Sequence, residues 1–485
     1  MNLLFETLKS ITEVKGKLYW FQQEPEVTPE PLMIADTEAD GCRVNAGTVL
    51  RDGGIYRMWY NSFPIPGDEL GGMYVAHAVS ENGIDWKKAP LDILPDAIVA
   101  KNNYVDLPVT PSIFIDPDAP AEMRYRAVGY LCRVAKGRSN PQGTFSSMYG
   151  ACSSDGLHWR LESETPLWHT GDTSTVIYHP GRKQAMGMIK YARRVNGICR
   201  RAVWSAETTD GRWGETSCAM IPDEFDDTLA LAKGHVSSDY YKMSLMAAGG
   251  ESAVGFMENF RHDLPYSKSP ENYALYGISD ITLTYQDKPG DRWLHAPGRR
   301  EFVGPSAAWW TKGWISSTVT PVEVGDEHWL YLSGSKYDHA WDRDTDWKSD
   351  SSLMAHRYRE KKDWVIGAAR WPKWRLFGYR AAPSGSIEIE LGEFTNPSRL
   401  FLNYKTETGG SLRVRLFIRK NRSDKGILPG FSGEEDAAIM DGDQLAGVAH
   451  WRGGEIIPSA PDGRIVMSVS MDRASFYAWE MRPAN

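Results

Sequence analysis

The sequence predicts an all-β chain, a five-bladed β-propeller followed by an antiparallel β-sandwich. Three observations carry that prediction. A small polar turn ending in tryptophan recurs as SENGIDW at 80–86, SSDGLHW at 153–159, TTDGRW at 208–213 and, more loosely, KPGDRW at 288–293. Around each turn, apolar and polar residues alternate in short runs bounded by Gly, Asp, Asn and Pro, the pattern of strands and hairpins. From about residue 383 the alternation continues without the turn signature.

The repeat units follow in order. GGIYRMWYNSF (53–63) leads to MYVAHAVSENGIDW, MRYRAVGYLC (123–132) to MYGACSSDGLHW, and KQAMGMIKYARR (183–194) to RRAVWSAETTDGRW. Asp or Asn before Gly supplies the positive φ of a tight turn, and a preceding Ser or Thr can accept bonds from the turn amides. The echoes lie about 55 to 80 residues apart, a spacing that suits four-stranded blades with long loops. Blades are expected at 40–90, 105–165, 170–217, 235–297 and 312–380. Residues 2–14 read as a short amphipathic helix or as a strand against a blade. The propeller thus spans 1–382. Residues 383–485 read as the sandwich, with period-2 runs such as SGSIEIELGEF and GRIVMSVSMDRASFYAWEM.

Composition narrows the function. The chain of 485 residues is 41% hydrophobic and carries a net charge of −8, which disfavours a nucleic-acid partner. No apolar run approaches the roughly 18–20 residues that span a bilayer, so no membrane partner is expected. Five scattered cysteines (Cys42, Cys132, Cys152, Cys199, Cys218) and an N-terminus unlike a signal peptide suit a reducing, cytoplasmic setting. Nineteen Trp and 22 Tyr suit a β core and also a carbohydrate surface. Phosphate-loop, dinucleotide, nucleophile-elbow and zinc motifs are absent. No cofactor or metal is called for, and self-association is left open.

Several phrases carry a family resemblance: LFETLKSI, GTVLRDGGIYRMWY, SIFIDPDAPAEMRYRAV, DTSTVIYHP, GDEHWLYLSGSKYDHAW and, in the tail, GGSLRVRLFIRK, ILPGFSGEED and SFYAWEM. Through them nearly the whole chain resembles five-bladed glycoside-hydrolase-like propellers related to the invertase (family 32) and arabinanase (family 43) glycosidases. The resemblance implies catalytic acids on the innermost strands, facing the central channel.

Glycoside cleavage passes through an oxocarbenium-like state and needs an acid for the leaving oxygen and a second carboxylate as nucleophile or base. Asp40, just ahead of CRVNAGTVL, stands where the resembling group carries an acid and is the candidate nucleophile or base. Asp172, in HTGDTSTVIYHP, precedes a β-branched run and is the candidate general acid; the arabinanase family would place Glu in this blade. Asp106, in NNYVDLPVTPSIF, is the candidate acid of blade two. Asp116 sits in FIDPDAP, similar to the Arg-Asp-Pro motif of the invertase family, but Ile115 replaces the Arg and the phrase reads as a turn. Candidate sugar-binding residues are His235, Asp239 and Tyr241 in GHVSSDYYKM, His339 in SGSKYDHAW, Trp59 in RMWY, and Arg201 in ARRVNGICRR. The expected activity is glycosidic cleavage of a small oligosaccharide or glycoside. A phosphorylase using inorganic phosphate and a non-catalytic sugar-binding propeller are the alternatives.

Overall fold

The computed structural model of the protein describes residues 1–5, 9–64, 73–131, 147–169, 171–195, 198–263, 276–339, 364–419 and 424–484. Cys132, Asn196 and Gly197 of ARRVNGICRR, and Ala340 and Trp341 of SGSKYDHAW lie outside them.

The recurrent turns form as their residues dictate. Ser153 Oγ accepts from the amides of Asp155 and Gly156, and Asp155 Oδ1 accepts from those of Leu157 and His158. Ser80 and Asn82 repeat the pattern one blade earlier. Gly83 and Gly156 both sit at φ 77°, in the left-handed region that favours glycine. Three of the turns follow the third strand of their blade and are bonded from the second strand of the preceding blade. Tyr331 OH donates to Gly83 O (2.5 Å), Trp59 Nε1 to Gly156 O (2.8 Å), and Arg126 Nη1 to Gly211 O (2.9 Å). The repeated motif is therefore an inter-blade joint.

Five antiparallel blades result. From the axis outward, blade I orders Val44–Asp52, Ile55–Ser62, Tyr74–Ser80 and Tyr104–Val105, and blade II orders Val109–Ile115, Tyr125–Leu131, Ser147–Ser153 and Arg160–Leu161. Blade III begins at Ser174–His179 and blade IV at Ser237–Ala247. Blade V orders Trp314–Ser317, Glu327–Ser335 and Trp364–Pro372, then takes its outermost strand, Glu26–Val27, from the N-terminal part of the chain. Glu26 also pairs with Arg370 at 2.6 Å. The contiguous segment 312–380 thus lacks its own outer strand, and blade I reaches past the expected 90 to Val105. One α-helix, Glu224–Ala232, occurs among the described residues. It was not expected, although Asp223 and Asp226 form a capping box in PDEFDD.

Apolar clusters fill the wedges between blades. Tyr60 and Met58 of blade I pack with Tyr331 and Ile366 of blade V. Trp59 packs toward blade II, as neighbouring residues on a strand must face opposite ways. Met186 and Met188 of blade III meet Met243 and Met257 of blade IV.

The tail forms one eight-stranded antiparallel sheet built on three long strands, Phe377–Phe394, Ser398–Arg419 and Ala460–Pro483. Its ladders break register near Arg380/Ser384 and Thr406/Ser411, and residues on both sides of the breaks, such as Leu402 and Val414, share one core. The N-terminal strand Ile11–Gln22 joins this sheet beside Phe377–Phe394. Residues 11–22 are thus a strand and not a helix, and their partner is the tail and not a blade. The expected boundary at 382/383 falls inside Phe377–Phe394. The two parts share a cluster in which Phe5 stacks on Tyr285 (4.6 Å) and meets Phe377 (5.7 Å).

A Cβ at Gly156 would meet Trp59 Cζ2 at 2.9 Å, whereas at Gly53 (φ 57°) it would meet nothing within 4 Å. Both alanine variants bear the left-handed penalty of about 1–2 kcal/mol, and Gly156→Ala should lose roughly 1–3 kcal/mol more from overpacking at the joint. Urea denaturation of the two variants measures the difference.

Candidate functional site

The five inner strands converge on the axis, and their N-terminal ends open into a cavity of about 580 Å³. Hydroxyls stitch these strands laterally. Thr48 Oγ1 donates to Pro111 O (2.8 Å), Ser112 Oγ accepts from Val176 N (2.6 Å), and Ser244 and Ser317 hydroxyls meet at 2.8 Å, while Ser333 Oγ, on the second strand of blade V, accepts from Ala46 N (2.7 Å). Three inner strands slip register where they reach the cavity, between Ala46 and Thr48, Val109 and Ser112, and Tyr240 and Lys242. Gly47, Thr110, Pro111 and Tyr241, the residues at these bulges, all line the cavity. A bulge re-aims the chain and tolerates a proline that a regular ladder would reject. At Gly47 the strands approach so closely that a Cβ would lie 2.9 Å from Trp59 O.

Asp172 lines the cavity. It precedes the inner strand of blade III, where Thr110 Oγ1 from blade II holds its carbonyl (2.8 Å). Lys190 Nζ, from the second strand of blade III, lies 2.5 Å from Asp172 Oδ1 and 3.8 Å from the Tyr241 ring centroid. Burial works to raise the Asp172 pKa, but the charges of Lys190 and Arg201 outweigh it and hold it at about 2. Lys190 thus stabilises the ionised form of Asp172, which weighs against the expected general-acid role. Arg201, Tyr241 and His339 also line the cavity. Tyr241 OH approaches His339 Nε2 (3.4 Å), and His339 lies against Trp314 (4.5 Å between ring centroids). Ser174 Oγ, buried in the cavity wall, has no hydrogen-bond partner among the described residues.

The other expected site residues lie elsewhere. Asp40 is fully buried, accepting from Tyr60 OH (2.8 Å), Lys88 Nζ (2.7 Å) and the amides of Asp36 and Thr37. It ties the loop ahead of blade I to that blade and does not border the cavity. Burial would raise its pKa, but Lys88 and these donors hold it below the usual carboxylate value. Trp59 is buried in its joint with Gly156. Asp239 is fully buried between Arg201 (3.1 Å), His262 (3.1 Å) and Arg200 (3.5 Å), so it orients Arg201 from behind. Asp106 is half-buried in the connection between blades I and II, outside the cavity lining. His235 pairs with Asp263 (2.6 Å) and is also outside the lining. Asp116 fills its turn role, accepting from the Asp118 amide (3.1 Å) and facing Arg126 (3.4 Å).

No protein-family model matches the chain, and no curated protein matches it. Its fold is similar to that of several solved structures. A glycosyl hydrolase from Bacteroides ovatus aligns at 11% identity over 73% of this chain and 96% of that one, with a TM-score of 0.44. An N-acetylgalactosamine deacetylase from F. plautii, solved in complex with blood group B trisaccharide, aligns at 14% over 73% and 96%, with a TM-score of 0.43. The Bombyx mori GH32 β-fructofuranosidase BmSUC1 aligns at 11% over 94% and 95%, with a TM-score of 0.41.

Sequence reading missed Lys190, Lys242, Arg43 and Trp314 at the cavity, and Glu258 behind it. Lys190 and Glu258 lie on second strands, away from the strand starts where acids were expected. Among the described residues no cluster of three or more His, Cys, Asp or Glu side chains could hold a metal ion, and no helix is long and apolar enough to cross a membrane.

Asp40→Asn would remove one of the two carboxylates on Lys88, leaving Asp36 (2.6 Å) and Ile34 O (2.7 Å) as its partners, and a loss of about 2 kcal/mol in urea denaturation is expected. The sign with pH follows from the lowered folded pKa. The stabilisation by Asp40 is present above its unfolded value of about 3.9 and vanishes as pH falls through the folded value. Denaturation midpoints for wild type and Asp40→Asn should therefore converge in acid.

Proposed function

We propose that the axial cavity is the active site of a carbohydrate-active enzyme that cleaves a glycosidic bond in a small oligosaccharide or glycoside. The supporting observation is the meeting, in one partly enclosed cavity, of the anion Asp172, the cations Lys190 and Arg201, and the aromatic rings of Tyr241 and Trp314. The volume of about 580 Å³ lies within the range of small-ligand sites. Aromatic faces suit the apolar side of a sugar ring, and the ionised Asp172 suits the positive charge that develops at the anomeric carbon. Lys190 and the bond to Thr110 fix its position before substrate arrives, so the carboxylate is preorganised for that charge.

Hydrolysis is the principal reading, with water as the nucleophile. Phosphorolysis has one observation in its favour. Among the described lining residues, Arg43, Lys190, Arg201 and Lys242 are cationic, against the single carboxylate of Asp172. Such a surplus suits a phosphate nucleophile.

The test is turnover of a panel of furanosides and pyranosides with and without inorganic phosphate. Release of free sugar without phosphate is the expected result. A sugar phosphate formed only with phosphate would establish the second reading, and binding without turnover would overturn the enzyme reading. Asp172→Asn should lower kcat/KM about a thousandfold, equivalent to about 4 kcal/mol. It also leaves Lys190 without its partner. Because Asp172 is 38% exposed, the stability loss should stay near 1–2 kcal/mol, so circular dichroism should still report a folded chain.

A further inference from the structure

We propose that Lys242, held by Glu258, gives the leaving glycosidic oxygen its proton. The proposal rests on the reading of the cavity as a site of glycosidic cleavage and supplies a proton donor beside Asp172, whose carboxylate is engaged by Lys190 (2.5 Å). Lys242 follows the Tyr241 bulge on the inner strand of blade IV and lines the cavity. Its Nζ donates to Ser317 O and lies 3.9 Å from Glu258 Oε1. Glu258, on the second strand of the same blade, is fully buried. Its Oε1 accepts from Ser317 N (2.6 Å), Ser317 Oγ (2.9 Å) and Ser316 Oγ (3.3 Å), while Oε2 has no hydrogen-bond partner among the described residues. A buried carboxylate held this way, one oxygen satisfied and one not, needs a neighbouring cation, and the Lys242 ammonium lies within reach.

The two cavity lysines are driven apart. Burial lowers the Lys242 pKa, the Lys190 charge lowers it further, and Glu258 only partly restores it. Burial also raises the Glu258 pKa. For Lys190, burial is outweighed by Asp172 and the pKa rises. Neighbouring groups pushed in opposite directions mark separate roles, and a lysine loosened by burial is a competent proton donor near neutral pH. The other charged or titratable groups among the described residues that line the cavity are Asp172, Lys190 and Arg201 of blade III, Tyr241 of blade IV, His339 of blade V, Arg43 of blade I and Tyr130 of blade II.

The step balances. As the bond from the anomeric carbon to the leaving oxygen breaks, its electron pair takes a proton from Lys242 Nζ, leaving a neutral amine. Water then bonds to the anomeric carbon, and the proton it sheds returns to that amine. Glu258 gains and loses nothing overall. It is a positioning residue that sets how readily Lys242 gives up its proton.

Lys242→Met and Glu258→Gln test this through leaving-group dependence. Proton donation matters for an alkyl alcohol and hardly at all for dinitrophenolate. Lys242→Met should therefore lose 100-fold or more in kcat/KM on alkyl glycosides and less than tenfold on dinitrophenyl glycosides, a factor of ten corresponding to about 1.4 kcal/mol. Equal losses on both, or no loss on either, would overturn the proposal. If Lys242→Met does not fold because Glu258 is left alone, the Lys242→Met/Glu258→Gln double variant carries the same comparison. Glu258→Gln should move the basic limb of the pH profile to lower pH, since it removes an anion beside the ammonium, and an unmoved limb would refute its role. Reductive methylation with ¹³C-formaldehyde reads the lysine without any substrate. Lys242 should titrate below the ordinary value of about 10.4. An ordinary titration overturns the pair whatever the activity. A low titration in a protein that turns over no glycoside removes the cleavage reading and leaves the pair itself standing.

Discussion

The structure depends on closure of the ring. Each blade is a strongly twisted sheet with apolar residues on both faces, and only neighbouring blades can cover them. Tyr60 on one face of blade I needs blade V, and Trp59 on the other needs blade II. An open ring would leave two such faces in water. Closure is made by a short strand, Glu26–Val27, which pairs with Ala369 and Arg370 at the far end of the propeller sequence. Thr28 extends the seam, with its amide on Ala368 O and its carbonyl bonded by Trp310 Nε1. The chain just before this strand is fixed by Ile11–Gln22 in the C-terminal sheet. That sheet thus holds the segment that completes the ring, which gives it a structural role independent of any ligand.

Closure also makes the cavity. Inner strands crowd at an axis, so their polar backbone atoms need partners from the neighbouring strands, and Ser and Thr hydroxyls provide them. The same crowding explains the bulges. A strand that must pass close to its neighbour and still turn a side chain inward gains from one extra residue. Tyr241 and Lys242 are placed next to Lys190 in this way, although they belong to a different blade.

Charge in the cavity is arranged by pairs. Asp172 is held by Lys190, Arg201 is backed by Asp239, and Lys242 is tethered near Glu258. The pairs differ in exposure. Asp172 remains open to the cavity, whereas Asp239 and Glu258 are sealed behind their cations. A ligand therefore meets one carboxylate and several cations among the described residues, although the acids and bases in these three pairs are equal in number. That asymmetry results from depth and not from composition.

The sequence by itself determined the blade repetition, because the turn signal is local and recurs in four of the five units. Ser, Asp or Asn, and Gly in fixed order dictate φ and hydrogen bonding within a few residues. It also pointed to an acid at the start of blade III, since Asp172 precedes the β-branched-rich run TSTVI. Only the tertiary structure decided which acids face the cavity. Asp40 and Asp172 both stand ahead of an inner strand, but Lys88 comes in from 48 residues away to seal one, while the other is left open beside Lys190. The tertiary structure also decided that a strand from residues 26–27 completes the last blade and that Glu258 lies behind Lys242. These are long-range pairings. They depend on which surfaces the closed ring brings together, and a charge carries no local mark of the partner it will meet.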